Sequence, residues 1–152
     1  MVEPCRLRPR GLAFGALLLI TIAAAAQKPE TFQVRLAPVS MDTAMKLNIA
    51  GLGKASAVLT GNKLTVNGTF AGLLSPATSA QIRRGSLTGV RGPVILDLKI
   101  SPATISSATS GTVSGAFELT PDQVDGLRKG QFYIQIASEK APDGNLWGWL
   151  LK

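Results

Sequence analysis

The chain has 152 residues, with 16 Lys and Arg against 9 Asp and Glu, one cysteine and no histidine. Without histidine, and with a single thiol, neither a Ser-His-Asp nor a Cys-His catalytic constellation can be assembled. The usual imidazole and thiolate ligands of transition metals are missing for the same reason, so no metal or other cofactor is expected.

Residues 1–26 read as a secretory signal peptide. Arg6, Arg8 and Arg10 precede sixteen uncharged residues, Gly11 to Ala26, which end in four alanines. The apolar run is shorter than the roughly 20 residues of a membrane span, and cleavage is expected after Ala26, leaving no span in the mature chain. Cys5 leaves with the leader, so residues 27–152 form one cysteine-free domain stabilised by packing alone. The leader takes with it three arginines and one glutamate. The remaining 13 cations and 8 anions, net +5, are scattered along the chain. Nucleic-acid binders cluster their cations among stacking aromatics, and nucleic acid is therefore not expected as a partner.

From Phe32 onward apolar residues recur with period two, the mark of half-buried strands. Phe32, Val34 and Leu36 open the series. Ala55, Ala57 and Leu59 are joined to Leu64, Val66 and Phe70 by Gly61-Asn62, a two-residue hairpin signal. GLGKAS at Gly51 to Ser56 lacks the glycine spacing of a phosphate loop and leads into a strand. Val94, Leu96, Leu98 and Ile100 form a further stripe; Val113, Phe117 and Leu119 another; Phe132, Ile134 and Ile136 the next. Between two of these, Ser101 to Gly111 is expected to be a polar loop.

In TPDQVDGLRKG the pattern changes to that of a short helix. Thr120 suits the N-cap, Pro121 the first position, Gln123 a capping box and Gly130 the stop, with Val124 and Leu127 or Arg128 against the strands. Asp122 and Asp125 are dipole-favoured charges of its first turns rather than a paired acid and base. Asp143-Gly144 reads as a turn. About eight strands with one short helix near the C-terminus predict an all-β, antiparallel Greek-key β-sandwich, immunoglobulin-like or superoxide-dismutase-like, with a partly closed barrel of Greek-key type as the alternative.

Two places could carry function. Arg83, Arg84 and Arg91 surround a glycine-rich loop and would form a partner surface if the loop folds back, although surface arginines beside glycines are more often solvated than functional. In the last strand, Trp147 and Trp149 fall on one side and Leu146 and Leu150 on the other. Gly148 leaves room between the indoles for a flat ligand or a close backbone.

The order of the pieces FQVRL, GKASAVLTGNKLTVNGTFAGL, AQIRRG with GPVILDL, and FELTPDQVDGLRKGQFYIQIASEKAPDGNLWGWL resembles the CHRD (chordin-type) domain family over nearly all of residues 27–152. The resemblance implies a secreted or periplasmic domain. Typical members carry an HIHG stretch at the place of Gln81-Ile82-Arg83-Arg84-Gly85 and histidines near Ala137 and Ala141; here all are replaced. A permanently charged guanidinium at Arg83 repels a cation, so a degenerate metal-dependent redox protein is the least favoured reading. The sequence instead points to a non-enzymatic binding or assembly module with an envelope or extracellular protein as partner. A carbohydrate or small-ligand module using Trp147 and Trp149 is the alternative. The exported form is expected to begin at Gln27, which intact-mass measurement checks; a product retaining Cys5, or carrying lipid, contradicts it.

Overall fold

The computed structural model describes residues 27–39, 42–104 and 107–152. The expected leader, residues 1–26, lies outside the described residues. Eight antiparallel strands and one helix follow in chain order: β1 (Glu30–Pro38), β2 (Leu52–Thr60), β3 (Lys63–Ala71), β4 (Ala77–Arg84), β5 (Val94–Thr104), β6 (Ser107–Glu118), α1 (Pro121–Arg128), β7 (Phe132–Ser138) and β8 (Ala141–Trp149). A single 3-10 turn, Met45–Leu47, sits in the connection from β1 to β2.

The spatial order is β1-β2-β3-β6-β5-β4-β7-β8, and β8 returns to β1. Strands β4, β5 and β6 are sequential neighbours, and β7 comes back beside β4, which makes the connection a Greek key. The expected sandwich is thus corrected to a closed barrel. Alternation of inward and outward residues is the same in both architectures, so what separates them is the pairing of the first strand with the last. That seam is short: Ala37 pairs with Trp147 and Pro38 with Leu146. At its other end Gln33 and Leu151 exchange backbone hydrogen bonds of 2.8 and 3.2 Å.

Gly148 allows the seam to close. A Cβ built there would lie 2.3 Å from Val34 Cγ2 and 2.5 Å from the Arg35 carbonyl oxygen, both on β1. Its room is therefore taken by a neighbouring backbone and not by a flat ligand.

The interior is filled as the period-two pattern requires. Phe32, Leu36, Leu64, Val66, Ile82, Ile134, Ile136, Leu146 and Leu150 are fully buried, each worth roughly 1.5–3 kcal/mol relative to exposure. The helix caps one end of the core with Val124 and Leu127. The capping box is present as expected: Gln123 N donates to Thr120 Oγ1 and Thr120 N to Gln123 Oε1, and Gly130 follows with φ +69°. Below the helix, Glu30 accepts from Arg128 and Lys152, tying β1 to α1 and to the end of the chain.

Three further expectations are corrected. Ser101 to Gly111 is mostly strand, because Ser101 pairs with Thr112 and Pro102 with Gly111 in a hairpin that runs past the end of β4. A proline is tolerated there because the β4 pairing of β5 ends at Leu98, leaving the outer edge without a partner strand. Asp143-Gly144 is not the turn; Glu139 and Lys140 are, and the β7–β8 register jumps from Ser138–Ala141 to Ile136–Leu146, so that β8 bulges over the intervening residues with Gly144 at φ +127°. Val94, placed in an inward stripe, is exposed.

Two outcomes test this account. Gly148→Ala should cost about 1–3 kcal/mol, because β1 backbone as well as a side chain must move; unaltered thermal stability would refute the tight seam. The two cations hold the Glu30 carboxyl down to about 2 from its ordinary 4.5. A depressed carboxylate contributes its stability above the unfolded value and loses it as pH falls through the folded one. Glu30→Gln should therefore be less stable than the wild type near neutrality, by under about 1 kcal/mol because both cations are half exposed. The difference should vanish between pH 4.5 and 2, as acid titrations followed by circular dichroism will show.

Candidate functional site

Strand β7 is buried on both faces, and the reason is what covers it. Its inward residues are Phe132, Ile134 and Ile136; its outward residues, Tyr133 and Gln135, would meet water if nothing lay over them. Residues 85–93, between β4 and β5, fold back across the outer face of β4, β7 and β8 and shield them.

Glycines make this fold-back possible. A Cβ on Gly85 would lie 2.0 Å from the Val90 carbonyl oxygen, and one on Gly92 1.8 Å from that of Arg84. They permit backbone contact within the loop, so no anion cradle is needed to explain them. Gly85 N donates to Gln131 O at 2.9 Å, Thr88 Oγ1 to Gly130 O at 2.9 Å, and Arg84 N to Pro93 O at 3.1 Å. At the centre, Gly92 N donates to Tyr133 Oη at 3.0 Å, and that hydroxyl donates to Gly92 O at 3.3 Å.

The three arginines do not converge on one point. Arg84 turns toward the start of α1, where it pairs with Asp122 and donates through Nε to Gln131 Oε1 at 3.1 Å. Asp122 raises the Arg84 pKa, and Arg84 in turn holds the Asp122 carboxyl below the ordinary carboxylate range. The guanidinium lies against Gly126, where a Cβ would come within 2.9 Å of Arg84 Nε. Arg83 points to the outer face, donating to Gln81 Oε1 at 3.2 Å and Gly92 O at 3.4 Å. Arg91 reaches over the aromatic rings: its Nη1 donates to Asp143 O at 3.2 Å, and its guanidinium carbon stands 5.5 Å from the Trp147 ring centre. The β8 bulge presents that carbonyl, which also accepts from Gln135 Nε2 at 3.1 Å.

Trp147 and Trp149 share the outer face as expected, and both are half-buried. They meet Tyr133, with ring centres at 5.9 Å for Trp147 and 4.6 Å for Trp149, while the two indoles lie 6.2 Å apart. The planes are inclined by 39 to 86°, so the rings pack on one another and present no flat platform. Beside them the loop exposes Leu87 by 68%, Val90 by 46% and, at its end, Val94 by 39%.

The structure thus brings Arg83, Arg91, Trp147 and Trp149 around Tyr133 and leaves Arg84 apart. Sequence reasoning missed Tyr133, Gln135 and the exposed aliphatic rim. The signal for the first two was present: FYIQIA offers little to solvent on either face, which marks a strand covered on both sides. Beneath the loop, Arg83 Nε and Gln135 Oε1 are buried without a partner among the described residues.

Gln81 and Arg83 stand where the family resemblance places a pair of histidines. Gln81 Nε2 is turned to Asp97 at 3.0 Å and its oxygen to Arg83, so both polar ends are engaged beside a fixed positive charge. These residues do not fit a metal. Among the described residues, no group of three His, Cys, Asp or Glu comes together that could hold one.

The sequence profile of the CHRD domain matches residues 32–150, from within β1 to the residue after β8. Neither the curated proteins nor the solved structures include a significant match. With its profile matched over most of the chain, the protein belongs to the CHRD domain family.

Proposed function

We propose that this CHRD domain is an exported, non-catalytic binding module whose partner protein docks on the loop of residues 85–93 and the aromatic face beneath it. The observation that carries this reading is the exposed rim of Leu87, Val90 and Val94 set against half-buried Trp147 and Trp149 and the Arg91 guanidinium. Aliphatic side chains, tryptophan and arginine in one patch are the composition of a protein interface core. Family membership supports an extracellular or binding role.

The architecture narrows how such a partner is held. A closed barrel offers no strand edge along its body, so assembly by strand addition is disfavoured. Where the β5–β6 hairpin projects, Pro102 interrupts the β5 edge, and the β6 side is occupied by Leu73 N donating to Thr109 O at 3.0 Å. Recognition then rests on side chains. The inclined rings of Trp147 and Trp149 favour a protein over a sugar at this patch, since stacking on a sugar needs a level ring face.

A photo-crosslinking residue placed at Leu87 in the exported protein should capture a partner protein, and the same residue at Thr65, on the far side of the barrel, should not. Leu87→Asp with Val90→Asp should weaken capture at least about tenfold, as loss of interface anchors does, while stability stays within about 0.5 kcal/mol. Equal crosslinking from both positions, or wild-type capture by the double variant, would contradict the proposal.

A further inference from the structure

The outer face of β1, β2, β3 and β6, which adjoins the aromatic face at the β1–β8 seam, carries a different chemistry. Register places Arg35, Lys54, Thr69 and Thr112 in one row across the four strands and Gln33, Ser56, Asn67 and Ser114 in the next. Between the rows, Val34, Ala55, Gly68 and Val113 belong to the alternate positions that face the core.

Arg35 and Lys54 are directly opposite each other, an arrangement of like charges that destabilises a sheet. Both are exposed, and among the described residues neither has an ion pair or a side-chain hydrogen bond. Neither row contains a carboxylate; the one acid at the outward positions of β6 is Glu118, at the far end opposite Lys63. Two adjoining shallow hollows, of about 580 and 600 Å³, meet at Gln33, Lys54 and Thr69. The repulsion calls for an anion, and the surroundings say of what kind. The rows themselves present short hydroxyl and amide groups that both donate and accept, bordered on β2 by the exposed side chains of Leu52 and Val58.

We infer that this face binds a polysaccharide bearing uronic-acid carboxylates. Arg35 and Lys54 take a carboxylate, for which a guanidinium is geometrically suited, and Gln33, Ser56, Asn67 and Thr69 take hydroxyl groups of neighbouring sugars. The site begins on β1, next to the β8 strand that carries Trp147 and Trp149, and runs from there over β2, β3 and β6.

Affinity electrophoresis of the protein through gels containing polygalacturonate tests this, with neutral dextran and poly-L-glutamate as comparison polymers. Polygalacturonate should retard the protein, dextran should not, and polyglutamate should do so far less. Arg35→Gln with Lys54→Gln should weaken polygalacturonate binding at least tenfold while the thermal midpoint holds or rises, because a like-charge pair has been removed. Each single change should carry part of that loss. Asn67→Ala should weaken the interaction severalfold without altering net charge. No retardation of the wild type, undiminished binding by the double variant, or equal retardation by polyglutamate would overturn the inference, the last because it would mark attraction to charge alone.

Discussion

Everything in this molecule hangs on bringing the backbone of the last strand against that of the first. The contact is made by few hydrogen bonds, and it is possible only where β8 has no side chain between Trp147 and Trp149. Once it forms, the inward rows of eight strands enclose one core, and two distinct outer faces are created. One lies under the folded-back loop and is aromatic; the other is open, shallowly hollowed and mostly polar. Strand alternation sets the two indoles on one side of β8, and the glycine between them faces inward, where it lets β1 come close.

Much of this was legible in local pattern. The hairpin at Gly61-Asn62, the inward stripes of the first three strands and the capped helix were all readable because each depends on residues within a few positions of one another. What could not be read is set by contacts far apart in sequence. Alternation at Phe32 or Leu146 reports that one side is buried, not which strand lies next door. The sandwich expectation failed there. Pro102 and the serines around it look like a loop, yet pair as a hairpin because that hairpin extends beyond its neighbour.

The arginine-rich loop illustrates a second limit. Arg83, Arg84 and Arg91 look equivalent in sequence, but neighbouring residues on a strand point to opposite sides, and their partners lie in three places: β4 and Gly92, the first turn of α1, and the β8 bulge. Arg83 and Arg91 hold residues 85–93 down over Tyr133, while the Arg84 side chain ties the end of β4 to α1. The exposed aliphatic rim at Leu87 and Val90 is a product of that anchoring. Conversely, Arg35 and Lys54 are nineteen positions apart and drew no notice until register placed them face to face.

The seam also dictates the order in which the molecule can come into being. Residues near position 33 wait for partners near position 151, so the barrel cannot shut until β8 has been made, and its decisive contacts are among the most non-local it makes. Topologies of that kind fold slowly, since the entropy of closing the long loop precedes the contacts that offset it. During synthesis the β2–β3 hairpin can form early, while β1 must remain without its second neighbour. A chain with this geometry stays an open sheet, with the outer edge of β1 uncovered, until β8 arrives to pair with it.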